Sequence, residues 1–402
     1  MPCPFGGLLA ADELQIRKIV PKSYRKATKV MCRDIELAVA AASTAVADAG
    51  LVTKGVNPDE TPTYEPARLG CQIGAGLICA ELNELTRALS SSMTGTTDSD
   101  GFPEFDLGHW GSTGMQDLTP LWLLKYLPNM LACHVTIIHD CRGPSNTITC
   151  TEASSALSLG ESMRVIERGA ADACLTGGAE TRLNPMAFMR QVYADRIAEA
   201  TADADPGSIV RPYDPAATGT VLGEGGGIIV VEAEETAAAR GATPYCRVAG
   251  FAATQSFCAD TIGLHIDPDD PGIEDAIAIA LQQAGVDPGD VDAIAPFGSG
   301  IPHVDACEQA AIERVFGDTA SSTPLITVTP NVGTCNAGHG AVCIAAAARA
   351  IREQRLPARL NGPAESAIDA SACDARDAAL GTVLVTVCSH GGQNAAIVLK
   401  KI

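Results

Sequence analysis

The stretch RGPSNTITCTEASSALSLGESMRVIERGAADACLTGGAE (142–180) decides how this chain is read. It opens with a turn at Gly143-Pro144, continues as a short strand through Ile148, and bends sharply into a helix near Glu152. The helix then leads into a second strand that ends in glycines. A side chain at the bend sits at a helix N-terminus, beside unpaired N–H groups and the positive end of the aligned peptide dipoles. That position suits a nucleophile or an anion.

Outward from this stretch the chain echoes itself. DIELAVAAASTAVADAGL (34–51) has helical periodicity and precedes RLGCQIGAG (68–76), a strand running into glycines; GIEDAIAIALQQAGV (272–286) precedes DAIAPFGSG (292–300) in the same way. The opening stretch itself, over 151–178, has a counterpart in GTCNAGHGAVCIAAAARAIREQRLPARL (333–360), whose alanines mark a closely packed helix. Two duplicated α/β halves with apolar strands require sheets covered by helices on both faces. The join lies near GATPYCRVAGF (241–251), which divides the chain into 1–243 and 244–402. Residues 52–66 and 92–117 are Gly-, Pro-, Ser- and Asp-rich insertions; His109 and Trp110 in the second are read as a solvated loop tip.

Composition bounds the function. Of 402 residues 46% are apolar and 19% charged, so a large core forms and wholesale disorder is excluded. A net charge of −20 argues against nucleic acid or an anionic membrane as the main partner. No apolar run approaches the roughly 20 residues needed to cross a bilayer. The N-terminus lacks the basic start and apolar core of a secretory signal, so a cytoplasmic location is expected. Fifteen cysteines without metal-ligand spacing read as buried free thiols, and the seven histidines show no metal spacing either.

The segments RLGCQIGAGL (68–77), LPNMLACHVTIIHDCRGPS (127–145), GGAE (177–180), RPYDPAATGTVLGEGGGIIVVE (211–232) and SHGGQNAAIVLKK (389–401) occur in order and at characteristic spacing. Through them the sequence resembles the β-ketoacyl-acyl carrier protein synthases of the thiolase-like superfamily, from about Lys22 to the C-terminus. The resemblance implies a five-layered α/β/α/β/α fold, a homodimer or a heterodimer with an active ketosynthase, and a site between the halves reached by the phosphopantetheine arm of an acyl carrier protein. No other cofactor is implied. It also implies a Cys nucleophile, two His residues and a Lys near the second His.

This chain departs from that pattern at each position. Counting from either flank, the nucleophile falls on Glu152, with Cys150 two residues earlier in the strand. The first His, in the family's HGTSTP motif, falls on Phe297; the second, in KSMTGH, falls on Thr334, with the Lys on Thr329. The gatekeeping Phe of GFGGTN falls on His390. His339, five residues beyond Thr334, is expected to rotate off that face of a helix. A carboxylate stabilised at a helix end is a weaker nucleophile than a thiolate and would form a labile anhydride. Without imidazoles, nothing obvious stabilises the oxyanion of decarboxylation. Condensation by this chain alone is therefore not expected.

Glu152 has two readings, a structural helix-end carboxylate bonded to His390 or Thr334, or a general base assisted by His390. Arg17, Lys18, Lys22, Arg25, Lys26, Lys29 and Arg33 bunch on an otherwise acidic body. Lys22, Arg25 and Lys26, in PKSYRK (21–26), match the family's docking segment for acyl carrier protein. A local positive patch steers an acidic partner even on an acidic body. Three functions stay open: a non-condensing subunit similar to chain length factors, an acyl-thioester transferase or hydrolase using Glu152 and His390, and a carrier-protein or acyl-chain binding module. The family's opening strand is missing inside the first-half sheet. Either the true start lies upstream of Met1 or GGLLA (6–10) substitutes for it.

Overall fold

A computed structural model of the chain describes residues 1–10, 12–257 and 265–402. The first sheet has the order β2-β1-β3-β4, from strands β1 (Leu69–Gly74), β2 (Ser145–Ile148), β3 (Ala173–Glu180) and β4 (Gly225–Glu232). The first three run parallel and β4 antiparallel to β3. The second has the order β5-β8-β7-β6, from β5 (Arg247–Gln255), β6 (Ala293–Ala295), β7 (Thr382–Cys388) and β8 (Gln393–Lys400). Here β6 is parallel to β7, while β8 is antiparallel to both its neighbours.

Six helices complete the layers. Helices α1 (Arg33–Asp48) and α2 (Met130–His139) cover the outer face of the first sheet. Helices α3 (Ser154–Glu167) and α6 (His339–Glu353) lie between the sheets and touch both. On the far side, α4 (Gly272–Ala284) packs on β5 and β8, and α5 (Pro302–Phe316) packs on α4. This is the five-layered thiolase-like arrangement. Strands β1, β3 and β7 are buried along their whole length, which accounts for their near-continuous apolar sequences. Close contact in the central layer explains its small residues: a Cβ at Gly160 of α3 would lie 2.1 Å from the ring of Phe251.

The two sheets differ at one edge. In the second, β8 is flanked by β7 and β5; its counterpart β4 has β3 on one side and no strand on the other among the described residues. The missing strand is therefore an edge strand, not an interior one, and its absence leaves an uncovered edge instead of a hole. Gly6–Ala10 does not replace it, since only Gly7 forms a bridge, parallel to Gly223. The 92–117 insertion is partly ordered, with a short hairpin of Met93–Thr97 and Pro103–Phe105 and a helical turn over Leu107–Ser112. His109 is exposed there and Trp110 packs on Phe105 at 5.9 Å. None of the fourteen described cysteines is disulfide-bonded, and nine are buried. No described helix is long and apolar enough to cross a membrane.

Candidate functional site

Two short turns build the site. In the first half, a single 3₁₀ turn (Thr151–Ala153) precedes α3, and Thr151 is held at φ +43°. A β-branched residue rarely adopts that conformation, so the bend stores strain. The Thr151 hydroxyl donates to the His390 carbonyl at 3.0 Å, which ties the bend to the turn between β7 and β8. In the second half, another 3₁₀ turn (Asn336–Gly338) precedes α6, and Asn336 has φ +46°. Glu152 and Ala337 thus occupy equivalent places.

Glu152 is fully buried at the tip of α3, while Cys150 precedes the bend and is half-buried. Its Oε1 accepts from Arg196 Nη2 at 2.6 Å, and its Oε2 accepts from the His390 backbone N–H at 3.0 Å. Arg196 is itself buried, and its Nη1 lies 3.3 Å from His390 Nδ1. Burial raises the Glu152 carboxyl, but Arg196, Arg182, the His390 N–H and its own N–H outweigh burial and leave it at about 2. It is a locked carboxylate. Of the two expected partners, His390 is engaged through its backbone, whereas Thr334 is not a partner: its hydroxyl bonds Thr220 at 2.6 Å.

A second carboxylate supports this arrangement. Glu180, at the end of β3, pairs with Arg182 at 2.7 Å and accepts the Ala337 N–H at 2.9 Å. Asp34 on α1 is also buried and accepts the Thr181 N–H at 3.1 Å. Burial first, and the charge of Glu180 second, raise the Asp34 carboxyl to about 7.

The second-half positions form a neutral cluster. Phe297 is fully buried, its ring 5.1 Å from that of His339 in an edge-to-face contact. The Thr329 hydroxyl donates to the Phe297 carbonyl at 2.9 Å and lies 3.2 Å from His339 Nε2. The Cys335 N–H donates to His339 Nδ1 at 3.4 Å. With Nδ1 accepting, the ring proton belongs on Nε2, facing Thr329. Burial holds His339 at about 4, against the pull of Glu152. The expectation that His339 turns away from the site is wrong. Helical rotation does not apply because Thr334 lies outside α6, in a bridge with Leu222, and the helix begins only at His339.

Sequence reasoning missed Arg182 and Arg196, and misplaced His339. The usable signal for the arginines was electrostatic: a buried carboxylate at 152 needs a cation, and Arg182 follows directly on the GGAE strand.

Outside the site, Lys22 opens one short turn (Lys22–Tyr24), Arg25 and Lys26 join it to the next (Ala27–Val30), all three are exposed, and no carboxylate pairs with them among the described residues. Tyr24 anchors the segment through a 2.9 Å bond to His134 Nδ1 on α2. Arg33, by contrast, is committed to Glu224 at 2.6 Å.

The family models for the beta-ketoacyl synthase N-terminal and C-terminal domains match residues 2–237 and 245–362. The chain belongs to the beta-ketoacyl synthase family. This synthase homologue is 30% identical to a putative polyketide beta-ketoacyl synthase 1 of Streptomyces halstedii, over 91% of its own length and 81% of that protein. It is 34% identical to the actinorhodin polyketide putative beta-ketoacyl synthase 2 of Streptomyces coelicolor, over 66% of its own length and 64% of that protein, just under two thirds of the relative. Among solved structures it is similar to the ishigamide ketosynthase/chain length factor, with a TM-score of 0.74, 25% identity, and coverage of 93% of this chain and 83% of that one.

Proposed function

We propose that this synthase homologue is a non-condensing subunit that pairs with an active ketosynthase, in the manner of a chain length factor, and presents a docking face to acyl carrier protein. The observation that carries the reading is the locked Glu152. At the position where the family presents a thiolate, this chain holds a carboxylate neutralised by Arg196 and bonded by the His390 N–H. No imidazole is available for oxyanion work at the family positions, which are Phe297 and Thr334, and Thr329 replaces the Lys. His339 is close by, yet both its nitrogens are engaged in holding Cys335 and Thr329.

The alternative with Glu152 as general base has less support. A base works best with a pKa near the working pH, and a carboxyl at about 2 on a guanidinium has little affinity for a proton. The likeness to a ketosynthase/chain length factor structure supports pairing, and the exposed Lys22, Arg25 and Lys26 support carrier docking. The phosphopantetheine arm would then serve the partner's site.

Co-expression with a synthase that retains Cys and both His residues tests the reading. The expected result is a one-to-one complex on size exclusion, with no carbon dioxide released from malonyl-carrier by this chain alone. Release by the isolated chain, or failure to pair with any synthase of its host, would overturn it.

A further inference from the structure

The groups around Glu152 are fixed independently of it. Arg196 is pinned through its backbone, which donates to the Gln191 carbonyl at 3.1 Å and accepts the Thr220 N–H at 2.8 Å. Its second guanidinium nitrogen reaches His390. Arg182 is held by Glu180, which is held in turn by the Ala337 N–H. The His390 backbone is fixed by the Thr151 hydroxyl. The Arg196 guanidinium, the His390 backbone N–H and the N-terminus of a fourteen-residue helix therefore converge on a place that one carboxylate fills, and Arg182, bonded to Glu180, adds its charge. Taking such a guanidinium out of water costs several kcal/mol unless an anion is supplied.

We infer that Arg196 and the His390 N–H form a preorganised receptor for a small carboxylate, kept occupied by the chain's own Glu152, so that a tethered anion excludes any acyl ligand from the helix tip. The ligand class is set by the donors. A planar carboxylate takes one oxygen to Arg196 and the other to the His390 N–H, as Glu152 does. A spherical anion can be shared between donors but lacks the two separate oxygens that match their positions. The chain is then silent for two reasons: the imidazoles are absent, and the site is already full. The second reason deepens the non-condensing reading and rests on it for its meaning, but its test needs neither a partner synthase nor a carrier protein.

The test is cavity complementation. Glu152→Ala removes the tethered carboxylate and leaves the receptor. Its melting temperature is expected to fall well below that of the parent chain, and then to rise by several degrees, saturably, with acetate or formate. Chloride at matched ionic strength should not reproduce the rise. The parent chain and the double variant Glu152→Ala, Arg196→Met should show no acetate response beyond that of chloride. Should Glu152→Ala not stay folded in plain buffer, its refolding yield across an acetate series is the readout. Recovery with acetate but not chloride supports the receptor. No carboxylate-specific effect on melting or refolding overturns it, and leaves the pairing reading to be judged by its own experiment.

Discussion

The tips of the two central helices share one construction and carry opposite chemistry. Each begins with a 3₁₀ turn led by a residue at positive φ, Thr151 or Asn336. At each, a backbone N–H just before the turn donates forward to a side chain four residues on: Cys150 to the Ser154 hydroxyl at 2.9 Å, and Cys335 to the His339 imidazole at 3.4 Å. From there they diverge. The first tip holds a charged network of Glu152, Arg196, Arg182 and Glu180; the second holds Ala337, a neutral His339 and Phe297. The fold fixes where a side chain is presented and leaves open what is presented. On the proposed reading, condensing chemistry would need a thiolate at the first tip and imidazoles from the second half. This chain has closed the first with an ion pair and filled the second with packing.

The largest effect is expected from breaking the ion pair on one side. Arg196→Met leaves Glu152 charged and buried without its cation, and should cost about 3–5 kcal/mol of stability in chemical denaturation. Replacing both partners with apolar residues should recover most of that loss. A near-neutral Arg196→Met would mean that the first tip is not held by charge. At the neutral tip the corresponding change is milder. His339→Leu keeps the contact with Phe297 but removes the acceptor of the Cys335 N–H, for an expected cost of about 1–3 kcal/mol. If the two costs proved equal, the contrast between the tips would lose its energetic meaning.

Acid separates the tips by window. His339 titrates at about 4 in the folded chain against 6.5 when free, so the unfolded chain takes the proton first. Stability present above pH 6.5 is lost as pH falls toward 4, and His339→Gln should flatten that slope. Glu152 sits at about 2 against 4.5, so its contribution is present above pH 4.5 and is lost as pH falls toward 2. Glu152→Gln should flatten that lower window only. Asp34 works the other way. With its carboxyl raised to about 7 from 3.8, it favours folding below pH 3.8 and loses that contribution as pH rises through 7. Asp34→Asn should therefore steepen the net acid loss between pH 4 and 6.5. Denaturation midpoints across pH for the three variants read all of this.

How much of this was legible in the sequence follows from range. The strand–bend–helix over 142–167 was readable because Gly143-Pro144, the short strand through Ile148 and the helical period are local signals. The placement of Glu152 at the tip followed from counting along that stretch. The cations were not readable, because Arg196 meets Glu152 across 44 residues and through a loop that no periodicity describes. His339 was misjudged because the helix was extended back over Thr334, where an edge bridge interrupts it. The missing strand was noticed, but its position at the edge was not, since strand order comes from pairing and is not written in any one segment.

The smallest effect on stability belongs to the outside of the molecule, and it sharpens the comparison by using the same charge in a third setting. Arg196 is buried and Arg182 largely so, and both spend their charge on carboxylates of this chain. Lys22, Arg25 and Lys26 are exposed and pair with none among the described residues, so their charge is available to a second molecule. Reversing all three (Lys22→Glu, Arg25→Glu, Lys26→Glu) should leave the melting temperature unchanged, because surface positions away from caps and networks seldom matter. Binding of an acidic acyl carrier protein should weaken at least tenfold, and its dependence on salt should flatten, because the loss falls mainly on the association rate. Tyr24→Phe gives the control for geometry: it deletes the bond to His134 while keeping every charge. It should weaken binding less than the reversal and leave the salt dependence intact. Undiminished binding after the triple reversal would show that the patch is a solvated face and would remove carrier docking from the proposed function.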